Sequence, residues 1–402
     1  MELQSKTEVQ DHAGHIQNVL FSSVTLQSVS TGLISATLIM TGPAVMLLEA
    51  AQRGGFSIQQ SVSWMFAVYF FGGLYGILMS LWYRMPIAGG HSLTGIAFLS
   101  SVTSQFAYSQ MIGGYVMSAL LIIFIGTSGI FNQLIKWVPK EIISAMLAGL
   151  VASYVVRMVP AVREMPIVGG VALISYFVLA KFSRQIPPAL GAIIVLLLML
   201  WGTRGLGWEG HSSTFSFPTI QNPEFNWSVL VSLALPLALL ILSNDVAVAV
   251  GALERTGYKP PIRTVVTGTG LFSLITAFFG GQCSNIAGMM TAICSSENTG
   301  SKEKRYVASL VSGMTIIIFG IFSWKVVPFV QALPQALISM LAGFALIGVL
   351  LSNLQSCFGE KAYPLSSLTT FIIALSNLSI YHISSAVWAI LIGAGLARIL
   401  GK

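Results

Sequence analysis

Charged residues are what this chain has least of. Asp, Glu, Lys and Arg together make up 8% of its 402 residues, against about 25% in soluble domains. That scarcity excludes a water-soluble fold, and the mean hydropathy of +0.82 agrees. Cysteine is scarce too: Cys283, Cys294 and Cys357 sit in apolar stretches without metal-type spacing. Neither a disulfide framework nor a zinc site is expected. No nucleophile–base pair, metal-ligating cluster or phosphate loop occurs, so an enzyme, a cofactor and a bound metal are not expected. Residues 1–30 lack the basic-then-apolar order of a cleavable signal and read as a cytoplasmic tail.

What remains is apolar. Runs of spanning length recur, and about fourteen spans are expected, beginning near residues 31, 60, 87, 108, 140, 167, 187, 228, 263, 282, 305, 334, 364 and 383. Several are too short to cross a bilayer alone. The fold class is therefore an all-α polytopic membrane protein. A formal charge of +7 would suit nucleic acid in a soluble chain, but here basic loop residues fix orientation instead. With the N-terminus inside, every Lys and Arg falls on the cytoplasmic side except Arg53, Arg157, Arg163, Arg204 and Lys325. Both termini are thus expected in the cytoplasm, with an outer loop over about 205–226.

The chain also resembles itself. LIMTGPAVMLLEAAQRGGFS at 38–57 matches LILSNDVAVAVGALERTGYK at 240–259 without a gap. GGHSLTGIAF at 89–98 matches GGQCSNIAGM at 280–289, and PKEIISAMLAGL from 139 matches PQALISMLAGFA from 334. Matched blocks in one order imply two homologous halves, 31–205 and 206–402. With an odd number of spans in each half, the second half enters from the opposite face. Such inverted repeats characterise secondary transporters, whose sites lie on interrupted helices at equivalent places in the two halves.

The second pair of blocks has that character. Pro86 disfavours a helix through Met85, and paired glycines permit extended backbone and close approach. MPIAGG and FFGG are therefore expected to be extended, with half-helices starting near Ser92 and Ser284. Facing N-termini would present backbone N–H groups and partial positive charge to an anion between them. Gly90, His91, Ser92, Thr94, Gln282, Cys283, Ser284 and Asn285 are the candidate lining residues, although Ser92 and Ser284 could equally cap their own helices. Asp245 lies within an apolar run, where an ionisable group is costly and usually functional. It either carries a proton or braces a half-helix end; its counterpart in the first half is Pro43. Asn244 is placed to orient it or to reach the ligand. Glu49, Glu254 and Arg255 read as solvated span ends.

LEAAQRGGFSIQQSVSWMFAVYFFGGL, MPIAGGHSLTGIAFL, PKEIISAMLAGL, ALERTGYKPP and GGQCSNIAGMMTAICSSENTGSKEKRYVASLVSG carry a further likeness. In these blocks the chain resembles the benzoate:proton symporter family. That family belongs to the larger group with the uracil/xanthine-permease and sulfate-permease fold. The resemblance implies seven plus seven inverted spans, with a core domain over about 31–130 and 228–327. The implied gate domain covers about 139–205 and 334–400. It also implies a substrate site between the third and tenth spans and proton-coupled uptake of an aromatic carboxylate. Nucleobase permeases carry Glu-Asn-x-Gly in the tenth span; Ser284-Asn285-Ile286-Ala287 stands here. Without that fixed carboxylate, the reading favours an anion.

The expected protein is thus a transporter of a small organic anion such as benzoate in a bacterial inner membrane. Protons and the lipid bilayer are its other partners, and a homodimer is left open. Asp245 would couple the proton, and Phe98 with residues near Met146 or Met340 would cover the aromatic ring. A permease for a neutral heterocycle, or an anion channel or exchanger, is the alternative.

Overall fold

The computed structural model of the protein describes residues 24–400 apart from 132, 134–138, 183–187, 205–214, 360–362, 377, 379 and 381–384. Residues 1–23 of the tail expected at 1–30 and residues 205–214 of the expected outer loop lie outside the described residues, whereas residues 26–30 of that tail are already helical. The regular elements among the described residues are helices, apart from one pair of two-residue strands.

The first half contains α1 (Leu26–Arg53), α2 (Ile58–Tyr83), β1 (Gly89–Gly90) leading into α3 (Leu93–Val102), α4 (Tyr108–Ser128), α5 (Lys140–Glu164), α6 (Pro166–Phe182) and α7 (Pro188–Arg204). The second contains α8 (Trp227–Arg255), α9 (Ile262–Phe278), β2 (Asn285–Ile286) leading into α10 (Gly288–Ser295), α11 (Tyr306–Ile321), α12 (Gln335–Gly359), α13 (Pro364–Leu375) and α14 (Ser385–Leu400). Each expected span has its element. A short helix, Ser323–Gln331, follows α11 as an addition.

Local chemistry sets several boundaries. Thr25 and Ser28 form a capping box at the start of α1, and Ser57 and Gln60 form one at the start of α2. Such reciprocal bonds satisfy backbone donors that a helix start otherwise leaves unpaired. Arg84, with φ at 48°, ends α2 in the left-handed region. Apolar residues on outward faces, including Phe124, Ile174, Phe177, Leu198 and Leu391, are exposed. They are not an aggregation hazard when hydrocarbon is the solvent.

The packing is two-fold. Spans α2 with α11 and α4 with α9 make large interfaces, and exchanging each span for its partner seven places on turns one pair into the other. The same exchange relates α1–α3 to α8–α10 and α6–α7 to α13–α14, while α5 packs against its own counterpart α12. β1 and β2 pair antiparallel, with Gly89 opposite Ile286 and Gly90 opposite Asn285. These relations make the fold an inverted-repeat, all-α polytopic one.

The second repeat departs from the ungapped match of its broken helix. The extended residues are Asn285–Ile286 rather than Phe278–Gly281, and α10 starts at Gly288 rather than near Ser284. Phe278 still belongs to α9, and Gly280 turns the chain with φ at 87°. The residues after that turn return the chain to β1.

β1 also lies directly on α2. A Cβ on Gly89 would collide with the carbonyl oxygen of Gly72 and the backbone of Gly76, whereas one on Gly90 would meet the Ile39 side chain at 2.7 Å. Backbone cannot yield as a side-chain tip can. Gly89→Ala is therefore expected to cost at least about 1–3 kcal/mol of overpacking, and Gly90→Ala less. Thermal unfolding of the detergent-purified variants measures this, and equal midpoints would contradict it.

Candidate functional site

A strand inside a bundle needs partners for its backbone, and the residues flanking β1 and β2 provide them. The Ala287 N–H donates to the Ala88 carbonyl (2.9 Å), and the Ala88 N–H donates to Thr291 Oγ1 on α10 (3.2 Å). The Ser92 N–H donates to Cys283 Sγ (3.2 Å). Ser80 Oγ on α2 donates to the Ile87 carbonyl (2.9 Å). The two interrupted helices are thereby tied into one unit.

The predicted site residues divide into those that hold this unit and those with groups to spare. Ser92 is the N-cap of α3, accepting from the Gly95 N–H (2.9 Å) and bonding Thr94 Oγ1 (2.9 Å). Ser284 is used up by α9. Its N–H donates to Ser273 Oγ (3.1 Å), its carbonyl accepts from the same hydroxyl, and its own hydroxyl bonds Thr276 (2.7 Å). It does not cap α10. The N-cap of α10 is Ala287, which makes no side-chain cap. Cys283 is fully buried beneath Ser92. Asn244 is partly buried and donates to Ser243 Oγ at 3.3 Å.

His91, Gln282, Asn285 and Asp245 are different. The first three are 2% exposed or less and Asp245 is 7% exposed. Both ring nitrogens of His91, both amide atoms of Asn285, Gln282 Nε2 and Asp245 Oδ2 make no hydrogen bond of good geometry. An unmet buried polar group costs about 1–3 kcal/mol, and this set is gathered around one strand pair. The Asp245 carboxyl lies beside the Ser92 hydroxyl and the Asn285 amide, joining α8 to the two broken helices.

Three neighbours were not anticipated. Trp64 Nε1 on α2 donates to Gln282 Oε1 (2.6 Å), which leaves the Gln282 NH₂ free to point elsewhere. Tyr69 sits edge-on to His91 at 4.8 Å and donates its hydroxyl to the Ile39 carbonyl (2.6 Å). The third is backbone: α8 is wound as π-helix over Leu230–Ala234 and Ile241–Val246, the latter containing Asp245. Such bulges are frequent at functional sites because they re-aim a side chain without ending the helix. An aromatic residue in an apolar run carries no signal of which buried amide it meets, so Trp64 and Tyr69 were not legible.

Phe98, Met146 and Met340 are fully buried. A cavity of about 350 Å³ lies elsewhere, lined by Phe66, Phe71, Phe215, Phe217 and Phe279 at the ends of α9 and α11. It is aromatic but nearly devoid of polar groups, so it lacks what would orient a charged ligand. Glu254 and Arg255 are exposed, as span ends should be. Glu49 corrects the expectation: it is 5% exposed and ion-paired to Arg53 (2.9 Å) and Arg157 (2.7 Å). Arg157, counted on the outer side, lies in the last third of α5.

Interrupted helices at matching places in two inverted halves, with spare polar groups between them, are the build of a multi-pass membrane transport protein. The chain belongs to the family described as benzoate membrane transport protein, whose model it matches over residues 22–399. It is therefore a membrane transport protein and not an enzyme. It is 26% identical to the benzoate membrane transport protein of Acinetobacter baylyi over 375 residues, 92% of this chain and 93% of that one. It is also 26% identical to the inner membrane protein YdcO of Escherichia coli over 364 residues, 90% of this chain and 93% of that one. Two solved structures share the fold. The transmembrane domain of the cyanobacterial bicarbonate transporter BicA superposes with a TM-score of 0.57 at 14% identity, over 93% of this chain and 98% of that one. SLC26A9 superposes with a TM-score of 0.61 at 13% identity, over 97% of this chain and 69% of that one.

Trp64→Phe tests the positioning of Gln282. Stranding the Gln282 oxygen should cost about 1–3 kcal/mol. A second change, Gln282→Leu, should make Trp64→Phe nearly neutral. Additive losses in the thermal midpoint would mean the two side chains do not act as a pair.

Proposed function

We propose that the protein takes up a small organic anion, an aromatic carboxylate of the benzoate kind, together with a proton. The observation that carries this reading is the group of buried, unpartnered polar atoms on His91, Gln282, Asn285 and Asp245 beside the paired strands. The Gln282 and Asn285 amides and a His91 N–H are donors suited to a carboxylate, and two helix N-termini add favourable potential. Gly90 and Cys283 shape the floor, while Ser92 and Asn244 hold the edges. The names of the relatives from Acinetobacter baylyi and Escherichia coli support the substrate and a bacterial inner membrane. An excess of basic loop residues on one side supports cytoplasmic termini.

Coupling follows from charge. Asp245 and an arriving carboxylate would share one water-poor site, and two like charges at that separation cannot both persist. The substrate enters with a proton on Asp245, and the pair is released together. Access alternates when the core, about 31–130 and 228–327, moves against the gate, about 139–205 and 334–400. The aromatic ring rests against apolar side chains where these two parts meet, with Phe98 on one side and residues near Met146 and Met340 on the other.

In proteoliposomes with an inward proton gradient, labelled benzoate is expected to accumulate above equilibrium. Asp245→Asn should abolish accumulation while leaving benzoate exchange between the two sides, since an amide cannot carry the proton. Gradient-driven accumulation equal to wild type in that variant refutes the coupling. Competition by uracil but not by benzoate moves the substrate to the nucleobases, and mere equilibration indicates a channel.

A further inference from the structure

An acid buried at the edge of a membrane protein needs a reason, and Glu49 has an unusual set of neighbours. Its Oε1 accepts from Arg53 Nη2 on its own helix (2.9 Å) and from Arg157 Nη1 on α5 (2.7 Å). Arg157 is held in place: its Nε donates to the Ser153 carbonyl (3.0 Å), and its guanidinium lies 4.7 Å from the Tyr154 ring centroid. Tyr154, itself buried, lies beside Ser100 of α3 and near Glu49. Three elements of the first half, α1, α3 and α5, are therefore joined toward the ends of all three. Glu49 is one turn before the end of α1, Ser100 is near the end of α3, and Arg157 is in the last third of α5.

We propose that Glu49 and Arg157 form a latch between core and gate, closed in this structure and opened once in each transport cycle. This rests on the core-against-gate reading given above. The chemistry suits a bond that must break. Separating an ordinary buried pair strands a charge at high cost, but Glu49 keeps Arg53, which travels with it on the same helix. Arg157 is 35% exposed and, in the last third of α5, has its long side chain within reach of the helix end when it leaves. The shared carboxylate thus has a counter-ion in both states, while the inter-helix bond exists in only one. A permanent brace has no need of the second arginine.

The test is a cysteine at each position, Glu49→Cys with Arg157→Cys, in the full chain reconstituted into proteoliposomes. The native cysteines are buried in this structure, and wild-type protein treated with the same cleavable bifunctional thiosulfonate sets the baseline for any reaction at Cys283. The uncrosslinked variant should transport benzoate. Bridging should lower uptake at least about tenfold, as expected when a step of the cycle is blocked, and reduction should restore it. Benzoate binding, followed by thermal shift, should survive bridging. Uptake by bridged protein at the unbridged rate overturns the latch alone, because the two residues then never part. Failure of the cysteines to bridge overturns it too, as does loss of transport before bridging, which identifies a fixed structural brace. Wild-type protein that takes up no benzoate defeats the function proposed above and the latch with it.

Discussion

Backbone that leaves the helix inside a membrane has no water to bond, and the pairing of β1 with β2 is how this protein meets that constraint. Each strand alone would leave its peptide groups bare. Paired antiparallel, and flanked by Thr291, Ser80 and Cys283, they satisfy one another. The requirement reaches outward. Glycines at 72, 76 and 89 let α2 lie against the strand at backbone distance. Ser273 and Thr276 of α9 fasten the other strand from behind. The polar atoms of His91, Gln282, Asn285 and Asp245 thus sit where the chain can least tolerate disorder.

Much of this architecture was legible from residues alone. The spans follow from apolar runs, because a bilayer demands a fixed length of them. The first broken helix follows from Pro86, the glycines and the capping serine at 92, which act locally. The second was misplaced because the repeat is not gapless there: extra residues around the Gly280 turn push the half-helix to Gly288. Ser284 looked like a mirror of Ser92. Whether a hydroxyl caps a helix or ties a strand to its neighbour depends on what lies behind it, and Thr276 is behind it.

Long-range partners were the least legible. Glu49 near the end of an apolar helix reads as a wetted end, since that is the cheapest fate for a lone acid. Its real partner is 108 residues away, on a helix packed alongside only in the fold. The π-helical segment around Asp245 was invisible for a related reason. The segment Ile241–Val246 packs against β2 and α10, neighbours that nothing in its own residues announces. The asymmetry was visible, however: the first repeat places Pro43 where the second places Asp245. The two copies differ in kind at this position, one placing a proline inside α1 and the other an ionisable group inside α8.

The strand pair has a consequence for how the protein is made. Gly90 leaves the ribosome long before Asn285, its partner. At roughly 5–20 residues per second, the intervening chain takes on the order of ten to forty seconds to synthesise. Throughout that interval the third span is a half-helix with an unmatched strand and cannot settle in hydrocarbon by itself. It must wait in a sheltered place, within the insertion machinery or against α1 and α2, until the second half arrives. A chain cut at the boundary between the repeats would therefore yield two pieces that are each unfinished, and neither could shield its own broken span.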